Sequence, residues 1–267
     1  MKKFNRPIGI FDSGIGGLTV VKEVIKELPG EDIVYFGDTA RLPYGNKSPK
    51  TVIQFSKENV EFLLRFGVKL IIVACNTSSS IVLPVLMRRF KIPILGVIRP
   101  AARQAVEITQ SGRIGIIGTR TTVESKAYQR EIKKLNPYAK IFAQACPLFV
   151  PLTEEGMVDD TVTRQMAKRY LQPLLKNDID TLILGCTHYP LLVDVLRRVV
   201  GKRIQFVNSA RRTAQEARKI LVAHNLCARR KDRPGRRVFF VSDGPEVFKK
   251  VGRSFLGKEL TARVQKV

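Results

Sequence analysis

Two observations predict an α/β chain of two similar, doubly wound domains with mostly parallel sheets. Short apolar runs alternate with helix-period segments from end to end, and two of those runs recur. Ile8-Gly9-Ile10 returns as Ile114-Gly115-Ile116, 106 residues on, and Lys69–Cys75 returns as Asp180–Cys186, 111 residues on. Near-equal offsets imply two related halves, placed about a pseudo-two-fold axis. Each half ends a buried strand in a cysteine. Open α/β sheets bind ligands at the carboxyl ends of their strands, so facing halves put both cysteines at one crevice.

The elements follow in order. Ile8–Phe11 reads as a strand, Ser13–Gly17 as a glycine turn, and Leu18, Val21, Val24, Ile25 and Leu28 as one face of a helix. Ile33–Phe36 is the next strand, and Val52, Phe55, Phe62, Leu63 and Phe66 mark a second helix face. Leu70–Ala74 and Ile92–Val97 complete the first series of strands. Ile114–Ile117 opens the second, continued by Ile141–Ala145, Thr181–Leu184, Ile204–Val207 and Val238–Val241. The division expected is residues 1–97 plus 206–267, carrying Asp12 and Cys75, and residues 98–205, carrying Glu154, Cys186 and His188. Hinges are expected near Val97–Pro100 and Gly201–Phe206.

Composition narrows the class. In 267 residues, 44% hydrophobic and 26% charged content is ordinary globular usage, which excludes a disordered or low-complexity chain. The longest apolar run, Leu70–Cys75, is far short of the roughly 20 residues of a membrane span. No secretory-length apolar stretch precedes Asp12, so a soluble, cytoplasmic protein is expected. Four cysteines without a C-x-x-C spacing fit free thiols rather than a disulfide scaffold, a redox pair or a zinc ribbon. The net charge of +24 is unusual and suggests anionic partners. Residues 197–237 hold 14 Lys and Arg against Glu216 and Asp232, net +12, with Phe206 as the single aromatic. Stacking platforms for nucleic acid are therefore lacking there, and a solvated basic surface is the simpler reading.

Cys75 precedes Asn76-Thr77-Ser78-Ser79-Ser80, a run of capping residues, and Cys186 precedes Thr187-His188-Tyr189-Pro190, with Pro190 suited to a first helical turn. Each thiol is thus expected where a strand ends and a helix begins. A positive helix end and free backbone N–H groups lower a thiol pKa and bind carboxylates. Cys146 and Cys227 read as small buried hydrophobes, and His224 as a surface residue.

Several blocks together resemble the glutamate racemases. They are Phe11–Gly17, Tyr35–Gly45, Ala74–Thr77, Ala145–Pro151, Glu154–Gly156 and Leu184–Leu192, in order and with family-like spacing. The glycine run reads G-x-G-G, not G-x-G-x-x-G, so no dinucleotide site is inferred. The resemblance implies a cofactor-independent, metal-free homodimeric enzyme that interconverts L- and D-glutamate with two bases and supplies D-glutamate for peptidoglycan. It assigns Cys75 to the α-proton of D-glutamate and Cys186 to that of L-glutamate. Inversion needs acid/base groups on both faces of the carbon, with the sulfurs about 7 Å apart across it. Asp12 matches the acid beside the first cysteine and is expected to assist its deprotonation, and Glu154 and His188 match the groups beside the second. Ser13, Tyr44, Gly45, Asn76, Thr77, Thr119, Thr122 and Thr187 match positions that hold the substrate. By their residues alone, Asp12 also suits a turn cap, Glu154 a helix start, and Glu155 the place of Glu154.

Two departures stand out: Arg99-Pro100-Ala101, where the family usually has a glycine after the proline, and Thr153, where an apolar residue is commoner. Alternatives are an aspartate racemase, a nucleic-acid- or gyrase-binding protein using the basic stretch, and a metal site from Cys75, Cys186 and His188. The first is disfavoured by the Cys-Asn-Thr and Gly-Cys-Thr-His-Tyr-Pro blocks. The third is disfavoured because the racemase motifs already employ all three residues.

Overall fold

The computed structural model describes residues 3–229, 233–257 and 264–267. The first half of the chain runs β1 (Ile8–Asp12), α1 (Leu18–Glu27), β2 (Ile33–Gly37), α2 (Pro49–Leu64), β3 (Leu70–Val73), α3 (Asn76–Arg89) and β4 (Ile94–Gly96). Next come α4 (Ile98–Ile108), β5 (Arg113–Gly118), α5 (Arg120–Glu124), α6 (Ala127–Leu135), β6 (Lys140–Ala145), α7 (Phe149–Glu154), α8 (Thr161–Leu175) and β7 (Thr181–Gly185). The chain ends with α9 (Val193–Val200), β8 (Gln205–Asn208), α10 (Ser209–Ala223), β9 (Arg237–Val241), α11 (Pro245–Leu256) and β10 (Val264–Lys266).

Two parallel sheets result, in the orders β10-β9-β2-β1-β3-β4 and β6-β5-β7-β8. The inner strands β1, β2 and β3 of the first and β5 and β7 of the second are buried nearly throughout, as a parallel sheet covered by helices requires. The sequence repeat is a repeat of register. In the first sheet Ile8 pairs with Leu70, and in the second Ile114 pairs with Thr181. Those are equivalent positions in the two recurring segments, so β3 and β7 deliver Cys75 and Cys186 from matching places. The α/β, two-domain, parallel-sheet expectation holds.

All nine expected strands form, with small shifts of boundary. β4 is shorter than Ile92–Val97 because Pro93 has no N–H to give the ladder, although its carbonyl accepts from Ile71 N at 3.0 Å. β10 joins the open edge beyond β9, an addition that three residues of a Lys-rich tail did not announce. β8 spans the expected boundary at 205/206, so the chain leaves the second sheet only after Asn208. From there α10 returns to the first sheet's core, with Ala210, Ala214, Ala217 and Leu221 packed among Leu18, Val21, Val24 and Ile25. The other side of the first sheet is an aromatic layer in which Phe36, Phe62, Phe66 and Phe240 stack at 4.6–5.4 Å between ring centres.

Candidate active site

The carboxyl ends of the two sheets meet in a narrow crevice. Its lining includes Ser13, Tyr44, Gly45, Cys75, Asn76 and Thr77 from the first half. From the second half come Thr119, Glu154, Cys186, Thr187 and His188. Leu42, Pro43 and Val150 supply apolar wall. The space left inside is about 20 Å³, close to that of one water. Two of the expected site residues stand behind the wall: Asp12 is fully buried, and Thr122 is 1% exposed.

The seam is closed by glycines and threonines. A Cβ on Gly16 would lie 2.3 Å from Thr187 Oγ1 and 2.6 Å from His188 Nδ1, and one on Gly45 would lie 2.6 Å from Thr119 Cβ. Only hydrogen fits at those two points. Thr77 and Thr119 join their hydroxyls across the seam at 2.9 Å, and Thr119 meets Thr122 at the same distance. Thr121 Oγ1 donates to the Gly45 carbonyl at 2.9 Å.

Cys75 occupies the N-cap of α3, where its sulfur accepts from Ser78 N at 3.5 Å and donates to Ser13 Oγ at 3.6 Å. The expected lowering of its pKa does not occur. Burial and the neighbouring Asp12 charge outweigh the helix end and push the thiol up to about 11. Asp12 accepts from the N–H groups of Gly14, at 3.1 Å, and Gly17. Burial still raises its pKa, against the charge of His188 and those two hydrogen bonds. Its other oxygen, Oδ1, has no protein partner among the described residues.

The second thiol is set differently. Thr187-His188 and a 3-10 turn over Tyr189–Leu192 separate Cys186 from α9, so Pro190 opens that turn rather than an α-helix. Cys186 Sγ lies 3.9 Å from His188 Nδ1, and His188 Nε2 lies 3.0 Å from Glu154 Oε1. Burial pulls the imidazole down, but the bonds to Cys186 and Glu154 and their charges prevail and carry its pKa up to about 10. Glu154 ends α7 rather than starting a helix, while Glu155 beside it is exposed and outside the lining. Thr153, buried behind Glu154, returns its hydroxyl to Phe149 O at 2.6 Å and so packs as an apolar residue would. Arg99 is exposed, pointing away from the crevice into a groove between α3 and α6.

Tyr44 is held by a network the sequence did not disclose. Its hydroxyl bonds the buried carboxylate of Asp38 and accepts from Asn59 Nδ2 at 3.2 Å. Asp38 also accepts from Arg41 Nε at 2.8 and 2.9 Å and from Ser242 Oγ at 3.1 Å. Arg41 goes on to Glu58 and to Asn59 Oδ1. A second unannounced residue is Tyr128 of α6, whose hydroxyl donates to Asn76 Oδ1 at 2.7 Å. The run Gly37-Asp38-Thr39-Ala40-Arg41 was the available signal for the first, because an acid and a base three residues apart share a face. Nothing local signalled the second.

Comparison with known proteins agrees with this fold. The profile of the Asp/Glu/Hydantoin racemase family matches residues 8–217. A glutamate racemase of Geobacter metallireducens is 50% identical over 255 residues, 96% of this chain and 94% of that protein. The structure of a glutamate racemase isoform from Bacillus anthracis superimposes with a TM-score of 0.94 at 40% identity, over 98% of this chain and 97% of that one. The glutamate racemase of Francisella tularensis, solved in complex with D-glutamate, gives 0.91 at 36% identity, over 99% and 97%. The chain belongs to the Asp/Glu/hydantoin racemase family and, within it, to the glutamate racemases.

Proposed function

We propose that this chain interconverts L- and D-glutamate without a cofactor, using Cys75 and Cys186 as two bases. The observation that carries the reading is that register-equivalent strands of the two halves place both thiols in the wall of one crevice. One sulfur, as a thiolate, removes the α-proton. The other, as a thiol, returns a proton to the opposite face. Atoms balance, since the proton has moved from one sulfur to the other and the carbon is inverted. Cys75, held as a thiol by burial and by Asp12, is the donor in the L-to-D direction. Cys186 works beside the imidazolium of His188, which Glu154 holds in place.

The Ser13, Thr77, Thr119 and Thr187 hydroxyls and the Asn76 amide supply donors for the substrate's carboxylates. A turnover of about 10 per second sets a barrier near 16 kcal/mol, low for so weak a carbon acid. A dry, closed site with matched proton donors and acceptors meets that demand. Glutamate needs far more than the space now inside, so the halves part to admit it and close over it. The hinges are the two crossings between the sheets, before α4 and after β8. D-glutamate supply for peptidoglycan, a cytoplasmic setting and a homodimer belong to the same reading.

Racemisation in deuterium oxide tests it. With two bases, the product enantiomer carries deuterium at Cα while recovered substrate keeps hydrogen at early times. Equal labelling of both enantiomers from the start would indicate a single base that exchanges with solvent on one face, and would overturn the scheme.

A further inference from the structure

We infer that Tyr128 is a positioning residue that aims the Asn76 amide at a substrate carboxylate, an inference that rests on the glutamate reading above. Asn76 opens α3 beside Cys75, lines the crevice and is 2% exposed. Its amide offers one acceptor oxygen and two donor hydrogens. The oxygen takes the Tyr128 hydroxyl at 2.7 Å, while Nδ2 has no protein partner among the described residues. Tyr128 is 1% exposed, and this is the one hydrogen bond its hydroxyl makes among those residues. A buried phenol has to place its proton, and the amide oxygen is the acceptor within reach. The amide is therefore locked with its oxygen on Tyr128, which leaves the NH2 as the end free to meet a ligand.

A buried donor left unpaired is unfavourable, and an oxygen of the substrate relieves it. Two N–H groups one residue from a catalytic thiol suit an anionic acceptor, the carboxylate of an amino acid. The ring of Tyr128 also lies close to β7: a Cβ on Gly185 would stand 3.2 Å from its Cε2. One side chain thus bonds the residue after Cys75 and crowds the place a Cβ would take on the residue before Cys186. Because Asn76 and Tyr128 belong to different halves, the amide is aimed only when the crevice is closed.

Wild-type racemisation of both enantiomers is measured first; a folded but silent wild type overturns the glutamate reading itself. Tyr128→Phe then removes one oxygen and keeps the ring packing. The expected result is a KM about tenfold higher for L- and D-glutamate, the worth of one hydrogen bond, with kcat changed by less than about twofold. A lower melting temperature with KM unmoved would make Tyr128 merely structural. In an Asn76→Ala background, Tyr128→Phe is expected to add nothing to KM, and a further tenfold rise would overturn the coupling. Asn76→Asp checks the aim without touching Tyr128. Its carboxylate still accepts from the phenol but repels a substrate carboxylate, so KM rises beyond that of Asn76→Ala. An Asp variant that binds glutamate like wild type would place the amide oxygen, not the NH2, toward the substrate.

Discussion

Glu154 and Cys186 are joined through the imidazole of His188, with Nε2 at 3.0 Å from Glu154 Oε1 and Nδ1 at 3.9 Å from Cys186 Sγ. The ring is 4% exposed, and its pKa rises to about 10 because these partners outweigh burial. A pKa raised on folding gives stability that is full below the unfolded value and is lost as pH rises through the folded one. The melting temperature of the wild type is therefore expected to fall between pH 6.5 and about 10. Glu154→Gln keeps the shape and removes the charge, so the slope should flatten. Racemisation should drop by about tenfold to a hundredfold, within the range for assisted proton transfer. An unchanged slope in Glu154→Gln would detach the carboxylate from the ionisation of His188.

Serine in place of either candidate base tests the pair directly. Cys75→Ser and Cys186→Ser should each reduce racemisation of both enantiomers by about 10² to 10⁴, because every turnover uses one sulfur as base and the other as acid. Cys146→Ser is the control. That thiol is fully buried, donates weakly to Gln144 O at 3.6 Å and stands outside the crevice lining. Activity close to wild type is expected there. Circular dichroism of the reaction mixture reads all three.

Gly16 and Gly67 separate closure from stability. Gly16 faces Thr187 and His188 across the seam at distances that admit no methyl group, so Gly16→Ala should hold the halves apart. Its expected effect is a loss of at least about tenfold in kcat/KM, since misplacing reacting groups by an ångström is costly. Gly67 has φ +64° with open space around it. Gly67→Ala should cost about 1 kcal/mol of stability and leave kcat/KM alone. Denaturant melts and initial rates on both variants decide; equal activity loss in the two would refute the seam argument.

The sequence disclosed the strands, the repeat and both thiols, because apolar runs and local motifs are short-range signals. Ser13, Thr77 and Thr187 came only from the family resemblance, and the structure sets them in the same crevice wall. What stayed hidden depends on distance along the chain. Tyr128 reads as an ordinary member of an apolar helix face, and its partner Asn76 lies 52 residues away. Asp38 gathers Tyr44, Arg41 and Ser242, the last 204 residues distant. The ionisation of Cys75 departs from its expectation for a related reason. Its helix N-terminus is visible in the sequence, whereas the depth of burial and the nearness of Asp12 emerge only on folding. Cys186 differs again, because a 3-10 turn replaces the expected helix start.

The basic stretch from 197 to 237 is less available to polyanions than its net charge suggests. Arg198 pairs with Asp159 at 2.5 Å, Arg212 with Glu107 at 2.7 Å and Arg218 with Glu27 at 3.1 Å. Lys219 reaches Glu216 at 3.7 Å, and Arg229 covers the ring of Phe4. Arg197 donates to the carbonyls of Gly201 and Ile204 and lies 4.0 Å above Phe206, the aromatic that a stacking surface would have needed. Residues 230–232 of the stretch lie outside the described part of the chain. Charges held by pairing, covering rings or capping carbonyls are spread over α9, α10 and the segment after α10. Binding to a mixed-sequence DNA duplex should accordingly be weak and non-specific. Its log affinity should fall with log salt at a slope shallower than about −3, equivalent to roughly three phosphate contacts. Fluorescence anisotropy across a salt series measures it. A slope nearer −6 to −10, typical of an organised phosphate-binding face, would show that these arginines exchange their internal partners for nucleic acid.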